Sequence, residues 1–176
     1  MTKRCTQRRS ATPVPRLRLL GAAILAALAS ACMTPPPAPG QSGDEVLRSW
    51  GTPTARYELP QGAQRLEYAT GPYGRSTWMV DLDATGRVSS ARQVMTEPFL
   101  TGFQGRLPGM PRRELLLNLG TPGDRRGGGR QGGEIWSWLY ETNECLWFRV
   151  SVGDDLLVRD GGFYPDPACD RPDATD

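Results

Sequence analysis

The chain has 176 residues, with 21 Lys and Arg against 19 Asp and Glu, a net charge of +2 and no histidine. Without an imidazole, Ser-His-Asp and Cys-His catalysis and every His-containing zinc site are excluded, because each needs that ring as base or ligand. The positive sign belongs to the front: Lys3, Arg4, Arg8, Arg9, Arg16 and Arg18 stand there with no acid before residue 32, which leaves fifteen Arg, no Lys and all 19 acids behind them, a net of −4.

The basic start runs into the apolar stretch LLGAAILAALASA, from Leu19 to Ala31, which closes in small residues before Cys32. That is the layout of a secretory signal. Its thirteen apolar or small residues fall short of the roughly 20 that a hydrocarbon core of about 30 Å requires, so a permanent membrane-spanning helix is the weaker reading. Leu28-Ala29-Ser30-Ala31-Cys32 is similar to the bacterial lipobox, in which small residues precede a cysteine that is acylated and becomes the new N-terminus. The resemblance implies a lipoprotein signal peptide over residues 1–31, lipidation at Cys32 and attachment to a membrane through that lipid. The alternative is ordinary cleavage with Cys32 left as a free thiol. By resemblance to Gram-negative lipoproteins, Met33 rather than Asp after the cysteine implies the outer membrane, on its periplasmic face.

Residues 32–42 form a tether, since the stretch TPPPAPGQSG that begins at Thr34 has no charge and no large apolar residue with which to build a core. Its prolines favour an extended chain of about 3.1 Å per residue.

Beyond the tether the sequence repeats itself. Glu45-Val46-Leu47 through Trp50-Gly51-Thr52-Pro53 recurs as Glu114-Leu115-Leu116 through Leu119-Gly120-Thr121-Pro122, and Trp78, Val80, Leu82 and Val88 recur as Phe148, Val150, Val152 and Val158, at offsets of 69 and 70. The first copy, residues 43–95, opens with a helix: Ser42 and Glu45 are spaced as a capping box, and Gly51 stops it. Period-two alternation then predicts strands over Gln64–Thr70, Ser76–Leu82 and 87–95, with Gly71-Pro72-Tyr73-Gly74 and Asp83-Ala84-Thr85-Gly86 as turns. The second copy, residues 96–165, begins with a helix over 97–106 that sets Phe99 and Phe103 on one face. A helix from Pro111 to its Gly120 stop follows, and then strands over 134–141, 145–152 and 156–164. Residues 166–176 are a tail.

With Cys5 in the leader and Cys32 under lipid, Cys145 and Cys169 remain as a pair in an oxidising compartment, and a disulfide between them is expected. A reactive redox pair would call for a C-x-x-C spacing that is absent here.

A helix entry G-M-x-x-x-E-[VL], an [LW]-G-x-P stop and a strand carrying an aromatic and a Tyr stand here as Gly109-Met110-Pro111-Arg112-Arg113-Glu114-Leu115, Leu119-Gly120-Thr121-Pro122 and Trp138-Leu139-Tyr140. These motifs resemble the BamE (SmpA/OmlA) outer-membrane lipoproteins, whose fold is shared with the β-lactamase-inhibitor-like proteins, some of them duplicated. The expected fold class is α+β: a tandem repeat of one or more helices followed by a three-stranded antiparallel meander, with the helices packed on one sheet face. The resemblance implies a non-enzymatic binding or scaffold module in outer-membrane protein assembly or envelope integrity, with envelope proteins, including the β-barrel assembly machinery, as partners. A periplasmic inhibitor of an enzyme, presenting the same sheet, is the alternative.

No nucleophile with a base, no metal cluster and no cofactor loop stands out, so no catalytic residue, metal or cofactor is expected. Gly127-Gly128-Gly129-Arg130-Gln131-Gly132 matches G-x-G-x-x-G in form, but a strand rather than a helix follows it, which marks a hairpin loop instead of a dinucleotide site. The same loop, from Gly123 through Arg125 and Arg126 to Gly133, holds three Arg, and Arg125 and Arg126 are candidates for an anionic partner, against the plainer reading of a solvated loop; nucleic acid is not expected for an exported chain. If Phe148, Val150 and Val152 face the helices, Trp147 and Arg149 face away, either as an interface hot spot or as cross-strand cover of the outer face.

Overall fold

The structure is a computed structural model and describes residues 34–128, 132–142, 144–166 and 169. Cys32 and its signal peptide lie outside the described residues. The chain divides after Pro35, and the second unit is Pro36–Asp176. In chain order it contains α1 (Gly43–Trp50), β1 (Ala55–Glu58), β2 (Gln64–Thr70), β3 (Ser76–Leu82), β4 (Val88–Gln93), α2 (Glu97–Gln104), α3 (Arg112–Leu119), β5 (Asp124–Gly127), β6 (Glu134–Leu139), β7 (Leu146–Val152) and β8 (Val158–Pro165). The strands form two antiparallel sheets, ordered β1-β2-β3-β4 and β5-β6-β7-β8. None of the described helices is long and apolar enough to cross a membrane.

This corrects the expected fold class. Each sheet has four strands rather than three, and among the described residues the three α-helices are eight residues each, so the described part is mostly β. The extra strands are β1 and β5, whose sequences ARYE and DRRG carry no apolar alternation. Propensity does not mark them; they exist because β2 and β6 offer unpaired edges, to which Arg56 pairs opposite Leu66 and Arg125 opposite Trp136. The helices also do not simply cover one face.

α1 starts where its cap dictates: the Glu45 amide donates to Ser42 Oγ (3.2 Å) and the Ser42 amide donates to Glu45 Oε2 (3.0 Å). It ends at Gly51, whose φ of 78° is open to glycine at little cost. Its Val46 packs with Leu66, Tyr68, Val80, Leu82 and Val88 on one face of the first sheet, and Trp50 meets Tyr68 and Trp78 edge to face. The opposite face of that sheet is buried too. Met79 on β3 belongs to a second core with Leu115 and Leu119 of α3, Leu100 and Phe103 of α2, and Trp136, Trp138, Phe148 and Val150 of the second sheet. α3 therefore lies between the two sheets.

That sandwich explains why four successive β2 residues, Arg65 to Tyr68, are all buried. Arg65 and Glu67 point at α3 and are satisfied there. Arg65 pairs with Asp81 across the strand pair (Nη2 to Oδ2, 2.8 Å) and donates to the Leu117 carbonyl near the end of α3 (2.6 Å). Burial pushes the Asp81 carboxyl up, but the Arg65 hydrogen bonds and charge, with Ser90, outweigh it and hold it below its usual range. Glu67, fully buried, accepts from the Tyr57 hydroxyl (2.6 Å) and from the Thr121 amide (3.0 Å). A Cβ on Gly120 would stand 2.8 Å from the Glu67 carboxyl carbon, so glycine at that helix stop also makes room for the clamp.

Candidate functional site

β7 divides its side chains by the period of two. Phe148, Val150 and Val152 enter the core, as the sequence implies, and Trp147, Arg149 and Ser151 point to the outer face of the second sheet. The register places Leu139, Trp147 and Tyr164 in one row across β6, β7 and β8. The next rows are Ser137, Arg149 and Gly162, then Ile135, Ser151 and Asp160.

One end of this face is closed. Tyr73, at the tip of the β2–β3 connection, brings its ring to 6.0 Å from that of Trp147. Tyr73 holds a φ of 58°, an uncommon conformation for a large side chain. Its backbone approaches Gly123 so closely that a Cβ there would stand 2.6 Å from the Tyr73 carbonyl oxygen. Trp147 is consequently only 8 % exposed. An exposed hot-spot tryptophan is therefore corrected: parity sends Trp147 outward, and the turn of the first sheet then covers it.

The other end is open. Ile135, Arg149, Val150, Ser151, Asp160 and Tyr164 line a shallow cavity of about 190 Å³. Ile135 and Tyr164 are exposed apolar walls, at 38 % and 42 %. Two buried polar atoms on this face have no hydrogen-bond partner, Nε1 of Trp147 and Nε of Arg149. Among the described residues no carboxylate lies within ion-pair distance of Arg149.

Arg125 and Arg126 do not sit in a mobile loop. They belong to β5, where the Arg125 guanidinium lies 4.1 Å from the centre of the Trp136 ring and Arg126 pairs with Asp124 at 2.8 Å. Arg125 stacks on Trp136 on the core side, away from Arg149, whereas Arg126 stands opposite Ile135 on the same outer face as Arg149, paired there with Asp124. The glycine run joins two antiparallel strands, closed by the Gly128 amide donating to Gly133 O (2.8 Å), so no phosphate-binding helix follows it. Cys145 and Cys169 are joined by a disulfide with Cα atoms 6.2 Å apart, which ties residue 169 to the entry of β7, two residues from Trp147. Among the described residues no group of three or more metal-binding side chains occurs.

Sequence reasoning missed Tyr73, Glu67 and Asp160. Tyr73 sits in a turn with ordinary turn composition, and the only signal for Glu67 was its place between Leu66 and Tyr68, where alternation assigns it to solvent.

No protein-family model matches the chain, and no curated protein matches it. Among solved structures, an extracellular protein containing an SCP domain from Bacillus anthracis str. Ames is similar at 11 % identity and a TM-score of 0.28, over 96 % of this chain and 51 % of that one. A cysteine-rich secretory protein from Staphylococcus aureus subsp. aureus Mu50 is similar at 12 % identity and a TM-score of 0.27, over 73 % of this chain and 46 % of that one. The chain spans about half the length of these two structures. Likeness at this level carries no argument about function.

Proposed function

We propose that this protein is a non-enzymatic binding module of the cell envelope, anchored by lipid at Cys32 on the periplasmic face of the outer membrane, that receives a protein partner on the outer face of its second sheet. One observation carries the choice of face: Arg149 keeps a buried Nε donor without a partner in the lining of an open cavity with apolar walls, two residues along β7 from Trp147, whose indole donor is also unmatched under the Tyr73 tip. A buried polar group left unmatched is costly, and a partner that supplies acceptors removes that cost on binding. The resemblance to BamE lipoproteins supports a role in outer-membrane protein assembly or envelope integrity, and the signal, lipobox-like stretch and Pro-rich tether support the anchor.

The test is site-specific photocrosslinking in living cells that make the full chain, with the photoreactive residue at Ile135 on the proposed face or at exposed Arg48 on α1. Ile135 should give a discrete adduct that Arg48 does not, and Arg149→Gln should weaken it. The same adducts from both positions, or none from Ile135, would overturn the assignment. Cys32→Ser should release the protein from the membrane fraction; continued attachment without lipid at residue 32 would refute the anchor.

A further inference from the structure

The cavity on the second sheet also indicates what chemistry it receives. Resting on the binding-face reading above, we propose that it takes a carboxylate from an acidic residue in an extended peptide segment, held by the Arg149 guanidinium.

The planar fork of a guanidinium matches a carboxylate with two parallel hydrogen bonds. In this structure the Arg149 Nε is buried without a partner and no described carboxylate neutralises the group, although Arg65, Arg126 and Arg159 each have an ion pair. Arg149 is thus a half-buried cation with an unmatched Nε lining an open cavity, with Ile135 and Tyr164 as apolar walls on either side.

Two features narrow the ligand further. Asp160 lines the same cavity. Its negative charge opposes a phosphate dianion more strongly than a carboxylate, and its oxygens can accept a backbone amide from the bound segment. Ser151 and Asp160 continue the cavity along the sheet from Arg149, and residues two apart on a strand lie about 6.6–6.8 Å apart along its axis. An extended peptide repeats its own acceptors at that same interval. A side-chain carboxylate at Arg149 and the next same-facing residue over Ser151 therefore keep register, and the Trp147 indole N–H, two positions the other way, lies next to the occupied site.

The experiment titrates the full chain, in detergent, with an N-acetylated and C-amidated peptide of alternating Ala and Val carrying one central Glu. The same peptide with Gln or phosphoserine at that position serves for comparison. Binding is followed by calorimetry and by the NMR signal of the Trp147 indole N–H, assigned with Trp147→Phe. The Glu peptide should bind about tenfold or more tightly than the Gln peptide and shift the indole signal. Arg149→Gln should abolish the preference while leaving the thermal melt in place, and Arg149→Lys should restore only part of it. Asp160→Asn should improve binding of the phosphoserine peptide. Equal binding of the Glu and Gln peptides, no binding of either at millimolar concentration, or tighter binding of phosphoserine than Glu to the unaltered protein would overturn the carboxylate assignment. In each of these cases an Ile135 adduct in cells would still uphold the binding-face reading, whereas loss of that adduct removes both.

Discussion

Replacing Glu67 with Leu should unlock the two sheets from each other. Leu preserves most of the buried volume of Glu67, so the principal loss is polar. The Tyr57 hydroxyl, now 2.6 Å from the carboxylate, and the Thr121 amide, now at 3.0 Å, both lose their acceptor. Tyr57 is half-buried and Thr121 exposed, so water partly replaces the lost acceptor; at about 0.5–1.5 kcal/mol for each hydrogen bond, the two give about 1–3 kcal/mol for a chain whose whole stability is of the order of 10 kcal/mol. Tyr57→Phe alone removes one donor and should cost about 1 kcal/mol. In the double variant the orphaned hydroxyl is gone, so its loss should be smaller than the sum of the two single losses. Urea melts of all four proteins, followed by tryptophan fluorescence, measure this directly. A Glu67→Leu protein within about 0.5 kcal/mol of the original, or strict additivity with Tyr57→Phe, would show that the carboxylate does not hold Tyr57 and Thr121 as the geometry implies.

Phe148→Ala should destabilise by about 3–5 kcal/mol, and Trp147→Ala, despite facing the outer side, should also destabilise by about 3 kcal/mol because Tyr73 covers it; thermal melts compare the two, and an unaltered melt for Trp147→Ala would mean the Tyr73 contact does not form. Burial, reinforced by the Glu67 carboxylate, pushes the Tyr57 hydroxyl well above its ordinary value of 10.0. The folded state therefore keeps that proton when the unfolded state loses it, and stability should fall as pH rises above about 10, with a shallower fall in Tyr57→Phe. Asp81 acts at the other limit: its carboxyl is held low, so its contribution is present above pH 3.8 and is lost as pH falls through the lower folded value. Asp81→Asn should flatten acid unfolding curves in that range. Reduction of Cys145–Cys169, which closes a separation of 24 residues, should cost about 3 kcal/mol in the same melts, and non-reducing peptide mapping checks the link itself.

Much of the element order is written locally. The capping box at Ser42 and Glu45, the glycine stops at Gly51 and Gly120, and the alternation through Ser76–Leu82 depend on residues a few positions apart, and β2 and β3 occupy the spans that their alternation predicts. The parity of β7 is local as well, which is why Phe148 and Trp147 could be placed on opposite faces from the chain alone. The edge strands β1 and β5 are different: ARYE and DRRG become strands only because a neighbouring edge has unpaired amides and carbonyls to satisfy. Burial of the second face of the first sheet also has no local cause. Arg65 and Glu67 alternate with apolar residues as a solvent face would, and only the arrival of α3, more than forty residues later, turns them into a buried clamp. Trp147 shows the same division most plainly. Its direction follows from a period of two, but its burial depends on Tyr73 reaching across from the other sheet, and no pattern within either segment encodes that meeting.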